Sequence, residues 1–304
     1  MAKYMPEGQN AKDNAILNEK ALYNAFSQGK ILEGQVEKCD NEHNLIVKFG
    51  AYTGLMEREE TVMGIKEGTV REIAIISRVN KTVSFRIKDI LQKDGAPFPL
   101  LTRASLQEEC LEYMLNTFKA GDVISAAVTH LEQFGAFVDI GCGVTSLISI
   151  DNISVSRINH PKDRFTPGQK IFAVIKEVDY ENKRFVLSHK ELLGTWLQNT
   201  KLFSPGQTVR GIIRSIESYG AFIELTPNLA GLAEINENMK EGMSAAVYIK
   251  SIIPEKMKVK LNVIDIGEKE IFPAPFSYFI TSGHIDKWTY SPENSAKNIS
   301  TSFY

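Results

Sequence analysis

The sequence predicts a mainly β protein: three tandem five-stranded barrels joined by short helices. Three observations carry this. One stretch of the chain repeats itself without a gap, the repeated segments are rich in β-branched and apolar residues, and a Gly-Ala pair recurs between apolar strand residues. The 304 residues exceed the length of one average domain, about 150 residues. They also suffice to bury cores without a disulfide or metal staple.

The repeat is direct. GDVISAAVTHLEQFGAFVDI from Gly121 lies over GQTVRGIIRSIESYGAFIEL from Gly206, an offset of 85 residues. Further on, GQKIFAVIKEVDYENKRFVL from Gly168 matches GMSAAVYIKSIIPEKMKVKL from Gly242.

In chain order, residues 1–28 read as a helical lead containing NAILNEKALYNAF. Residues 29–100 are a weaker third copy. Gly29 to Val36 resembles the opening of the other two, and GTVREIAIISRVNKTVSFRIK from Gly68 resembles their closing hairpin. Residues 101–118 are a linker helix. Ser105 and Glu108 have the spacing of a capping box. Leu106, Leu111, Met114, Leu115 and Phe118 follow at roughly helical spacing and read most simply as core against a barrel.

Residues 119–190 are the middle copy. VISAAVTHLE is strand-like, and FAVIKEV and FVLSHK flank a hairpin turn at Asp179 to Lys183. Residues 191–203 are a second linker helix, and 204–266 the third copy. Gly135 and Gly220 permit the bend that a small barrel needs at a corner. Five strands with an irregular crossover between the third and fourth is the layout of an OB-fold. Residues 267–304 hold Phe272, Phe276, Tyr278, Phe279, Trp288, Tyr290, Phe303 and Tyr304. That aromatic density argues against a free tail and predicts packing on a barrel.

Lys and Arg total 35 against 37 Asp and Glu, a net charge of −2. Any nucleic-acid site must therefore be local. Cys39, Cys110 and Cys142 form no C-x-x-C pair, which fits a reducing compartment. The first twenty residues lack the apolar run of a secretory signal, and no run approaches the ~18 apolar residues of a membrane span. The expectation is a cytoplasmic protein with no membrane partner. His43, His130, His160, His189 and His284 show no ligand spacing, so neither a metal nor another cofactor is expected. No P-loop, G-x-S-x-G, H-E-x-x-H or G-x-G-x-x-G motif stands at a strand–helix junction, and a non-catalytic protein is expected.

The chemistry-bearing feature is a repeated aromatic pair, Phe134 with Phe137 and Tyr219 with Phe222. Two exposed rings on a barrel face stack bases of any identity, and a nearby Arg supplies a phosphate contact. A lone aromatic pair in a small barrel is more often core, but recurrence in the same context favours a platform. Asp179 reads either as part of this face or as the start of a hairpin turn, and Arg184 either as a phosphate contact or as its surface partner. Arg157, His160, Lys162 and Arg164 cluster in the middle crossover, either as a basic rim or as a solvated loop.

The run F/Y-G-A-F-V/I followed by Asp179, Arg184 and Leu187-Ser188-His189-Lys190 resembles the RNA-binding repeat of the ribosomal protein S1 family. HKELLGTWLQNTKLFSPGQ and ITSGHIDKWTYSPENS resemble a joint and C-terminus of short three-repeat forms from low-GC Gram-positive bacteria. The likeness covers roughly residues 14 to 304. It implies single-stranded RNA as partner, mRNA in translation, and the small ribosomal subunit as a further partner. It also implies aromatics on adjacent strands, a His beyond the following Gly-Leu position, and an Asp and Arg near the last hairpin. The middle copy keeps Phe134, Phe137, Asp179 and Arg184 and has Ser149 at the His position. The third keeps Tyr219 and Phe222, has Glu234 at the His position and Ile253 at the Asp position, and offers Lys258 for Arg184. The first copy puts His43 and Ile46 where the aromatics stand, which suits a docking role. An RNA-binding regulator of transcription or RNA decay acting off the ribosome, or a protein-docking scaffold with buried Phe134 and Phe137, are the competing expectations.

Overall fold

Strands of five to twelve residues close into three barrels in the computed structural model, which describes residues 3–8, 16, 18–269 and 275–303. The first barrel holds β1 (Leu32–Cys39), β2 (Leu45–Phe49), β3 (Tyr52–Met56), β4 (Thr82–Lys93) and β5 (Ala96–Thr102). The middle barrel holds β6 (Val123–Glu132), β7 (Gly135–Asp139), β8 (Thr145–Ser149), β9 (Lys170–Asp179) and β10 (Arg184–Ser188). The third holds β11 (Thr208–Glu217), β12 (Gly220–Thr226), β13 (Leu229–Ala233), β14 (Met243–Ile253) and β15 (Lys258–Lys269). Each closes in the same order, the last strand lying between the third and fourth. The third and fifth strands run parallel each time, at Leu55–Leu100, Leu147–Val186 and Leu232–Lys260. This is the OB-fold layout that the repeats predict.

The barrels fold here because apolar side chains alternate along the strands. In β8 the sequence Thr145-Ser146-Leu147-Ile148-Ser149 buries Ser146 and Ile148 and turns the other three outward. The chain parts into two compact units, Met1–Phe118 with Ser125–Ala127 and Asp139–Thr145, and Lys119–Ile124 with Val128–Val138 and Ser146–Tyr304.

In the first unit three expectations are corrected. EIAIIS is not a strand: Ile73–Ile76 is one helical turn inside the crossover, with Ile75 buried beneath it. The closing hairpin is β4–β5, turning at Asp94-Gly95, both with positive φ. The Asp-Gly dipeptide is the turn signal there. The helix Ala104–Thr117 carries no capping box; Arg103 holds the N-cap, and Ser105 Oγ lies 2.8 Å from Thr102 Oγ1 instead. Arg103 is 1% exposed, and its guanidinium donates to Glu7 from Nε at 2.6 Å and Nη2 at 3.1 Å. The N-terminal helix runs Glu19–Ser27, capped by Asn18; the Asn14, Ala15 and Leu17 expected in it lie outside the described residues.

In the second unit the joint after β10 is a 3₁₀ turn, Lys190–Leu193, and a short helix, Trp196–Thr200. Thr195 and Gln198 form the capping box there. The C-terminal extension packs as expected. Ile285, Trp288, Tyr290 and Phe303 are buried in one core cluster with Ile213, Ile223 and Trp196. Phe272 and Tyr304 lie outside the described residues.

Candidate nucleic-acid interface

The turn from β6 to β7 has only two residues, Gln133 and Phe134. Its brevity leaves Phe134 no core to enter, and the side chain is 56% exposed. Phe137 is the one residue of β7 facing outward, and it is half-buried. The rings meet edge-on, 5.9 Å between centroids at 89°. In the third barrel Tyr219, 70% exposed, stands in the β11–β12 turn, and Phe222 lies on β12 at 6.1 Å and 90°. The aromatics thus share one hairpin, turn and second strand; the expectation that they stand on adjacent strands is corrected.

Glycine is needed here for space. A Cβ on Gly135 would come within 2.5 Å of the Ile148 carbonyl oxygen and 3.1 Å of the Ser149 Cα. The same closeness brings Ser149 beside the platform, and the Ile150 N–H donates to the Phe134 carbonyl at 2.9 Å. Ser149 Oγ accepts from Asn152 Nδ2 at 2.8 Å. Arg184 and Val186 face outward on β10, which lies beside β8. Phe137, Ser149 and Arg184 each face outward, on the neighbouring strands β7, β8 and β10.

Asp179 pairs with Arg184 across β9–β10, but its carboxylate is committed to the turn. It accepts from Asn182 N–H at 2.9 Å and Nδ2 at 2.8 Å, and these bonds hold its carboxyl below the usual range. Lys258 is exposed opposite Ile253, the register of Arg184 opposite Asp179.

The basic cluster divides. Arg157 and Lys162 are exposed. His160 caps the short Pro161–Asp163 turn, its Nδ1 accepting from the Lys162 N–H at 3.0 Å. Arg164 is no rim residue: it is 2% exposed and ion-paired with Glu224, which Arg214 also binds at 3.0 and 3.2 Å. A guanidinium so buried needs this carboxylate, because desolvation without a partner is costly.

His130 went unassigned in the sequence. Its ring stacks on Phe137 at 6.3 Å and 24°, and Nε2 donates to Glu132 at 2.6 Å. The 85-residue offset carries the signal. Ser215, its repeat mate, follows a β-bulge and pairs with Phe222. In the first barrel the same bulge pairs Lys38 with Ile46, so Ile46 takes the Phe222 position and His43 sits in the turn. No aromatic pair stands there.

His189 is also a core residue. Nδ1–H donates to the Ile153 carbonyl at 2.9 Å, and Nε2 accepts from the Tyr278 hydroxyl at 2.9 Å. Burial pushes the imidazole down to about 4. Among the described residues no group of three or more His, Cys, Asp or Glu could hold a metal, and no helix is long and apolar enough to cross a membrane.

Residues 117–190, the middle barrel, match the S1 RNA binding domain. The chain is 31% identical over 194 residues to the small ribosomal subunit protein bS1 homolog of Bacillus subtilis, covering 62% of this chain and 50% of that protein. It is 27% identical over 237 residues to small ribosomal subunit protein bS1 of Leuconostoc lactis, covering 71% and 54%. The chain thus spans about half the length of these curated relatives. A solved multidomain protein with nucleic acid binding domains from Streptococcus pneumoniae covers 78% of this chain and 74% of its own, at 15% identity and a TM-score of 0.26. The middle barrel of this chain is thus an S1 RNA-binding domain, and the chain is similar over more than half its length to bS1 proteins.

Proposed function

We propose that this protein binds single-stranded RNA without catalysing a reaction and acts on mRNA in translation, with the small ribosomal subunit as its partner. The observation that carries the reading is the aromatic pair, repeated at one register in two barrels, with Phe134 and Tyr219 exposed and Phe137 and Phe222 half-buried beside them. Each ring is a surface on which a base stacks, worth about 1–3 kcal/mol per base. Phe134, Phe137, Tyr219 and Phe222 take bases. Ser149 offers a hydroxyl beside them. Arg184, Lys258, Arg157 and Lys162 take phosphates, and Asp179 shapes the hairpin that presents Arg184. A pure protein-docking scaffold is disfavoured by the 56% exposure of Phe134.

The test is titration of labelled poly-U. Phe134→Ala with Phe137→Ala lowers affinity by about 1–3 kcal/mol per stacked base while the fold is kept. A folded double variant that binds like the wild type overturns the platform. Co-sedimentation with small ribosomal subunits separates the ribosomal reading from that of a regulator acting elsewhere.

A further inference from the structure

The crossover after β8 does not lie flat on its barrel. Residues 154–159 line a cleft of about 630 Å³, within the range of ligand sites, about 300–1,000 Å³. Its walls are held on several sides. The Val155 N–H donates to Asn228 Oδ1 at 2.9 Å, and the Ser156 N–H to the Pro227 carbonyl at 3.2 Å. His189 holds the Ile153 carbonyl. Ile299, from the C-terminal extension, closes one side; its N–H donates to Ser291 Oγ and its carbonyl accepts from the Tyr290 N–H, both at 2.9 Å. A cleft built in advance spares its ligand the cost of ordering the walls.

The lining is chemically mixed. Ile150, Ile158 and Ile299 are apolar. Arg157 and Lys190 bring two cations, and neither makes an ion pair among the described residues. Lys190 Nζ is steadied by the Asp151 carbonyl at 3.1 Å. Asp151 is the one carboxylate on the lining. The cleft also adjoins the platform. Gln133 on its wall precedes Phe134 in the turn, and the Ile150 N–H is bonded to the Phe134 carbonyl. An apolar wall, unpaired cations and an exposed ring at the mouth suit a base and its phosphate.

We propose that this cleft is a further subsite for single-stranded RNA. It takes the nucleotide adjoining the one stacked on Phe134, with Arg157 and Lys190 on the phosphate and Ile299 against the base. The inference rests on the RNA-binding reading above.

The test measures binding of the full chain to a dinucleotide of uridine, which fills the Phe134 and Phe137 rings alone, and to an octanucleotide, which also reaches the cleft. Lys190→Gln is expected to weaken the octamer about fivefold and to leave the dinucleotide nearly unchanged. Ile299→Asp, which keeps both cations, is expected to weaken the octamer similarly. Thermal melting confirms that each variant is folded. If neither variant changes octamer binding while Phe134→Ala weakens both oligomers, the cleft is overturned and the platform stands. If Phe134→Ala changes neither oligomer, the platform reading itself fails. An equal loss for dinucleotide and octamer in the cleft variants also overturns the proposal, because Lys190 and Ile299 would then act at the platform.

Discussion

Phe134 and Tyr219 are exposed because a two-residue turn cannot fold a large ring back under its own strand. The glycine that follows fixes where the ring stands. Gly135→Ala would place a methyl 2.5 Å from the Ile148 carbonyl and push β7 away from β8. We expect it to destabilise the fold by about 1–3 kcal/mol, measured by urea unfolding, and to weaken RNA binding. His189 makes a prediction in pH. Unfolded, its imidazole titrates near 6.5; folded, burial holds it to about 4. Between those values the unfolded chain binds a proton that the folded chain does not. Its contribution is thus fully present above about pH 6.5 and is lost as pH falls toward 4, by about 3 kcal/mol. Urea unfolding at pH 7 and pH 4.5 should show a smaller drop for His189→Gln than for wild type.

At the scale of elements, buried side chains hold the crossovers and the extension in place. The middle crossover carries Arg164, whose charge is matched by Glu224 on β12. Glu224→Ala leaves that guanidinium buried beside Arg214 with no carboxylate between them, and should cost about 3–5 kcal/mol in urea unfolding. The extension inserts Trp288 from β16 (Lys287–Thr289), which pairs with β17 (Ser300–Ser302). Trp288→Ala removes a side chain only 4% exposed and should cost about 3–5 kcal/mol by the same measurement. An extension that merely lay on the surface would tolerate the change.

For the whole molecule, a net charge of −2 leaves little long-range attraction for a polyanion. Five phosphate contacts, from Arg157, Lys162, Arg184, Lys190 and Lys258, give a slope of log K against log salt of about −3.5 for a single strand. Affinity for a 12-mer at several salt concentrations checks this; a slope beyond about −5 would place the binding energy on charge and away from the rings. Replacing Phe134, Phe137, Tyr219 and Phe222 together by Ala should abolish measurable binding of the full chain, because the first barrel offers only His43 and Ile46 in their place.

The three barrels, their strand order and the aromatic pairs were legible in the chain alone, because alternating strand patterns and a repeat that runs 20 residues without a gap can be read along the chain. The closing hairpin of the first barrel was not. Its isoleucine-rich EIAIIS has strand composition, and only packing of Ile75 onto the first core makes it helical. Arg164 looked like one more cation in a basic loop, and its burial depends on a glutamate 60 residues away. His130 met Phe137 only once β6 and β7 paired. The cleft beside Phe134 needs the crossover, Lys190 and Ile299 at once. Local sequence determines which residues can turn outward; which of them meet, and which charges are desolvated, is decided by contacts between segments far apart in the chain.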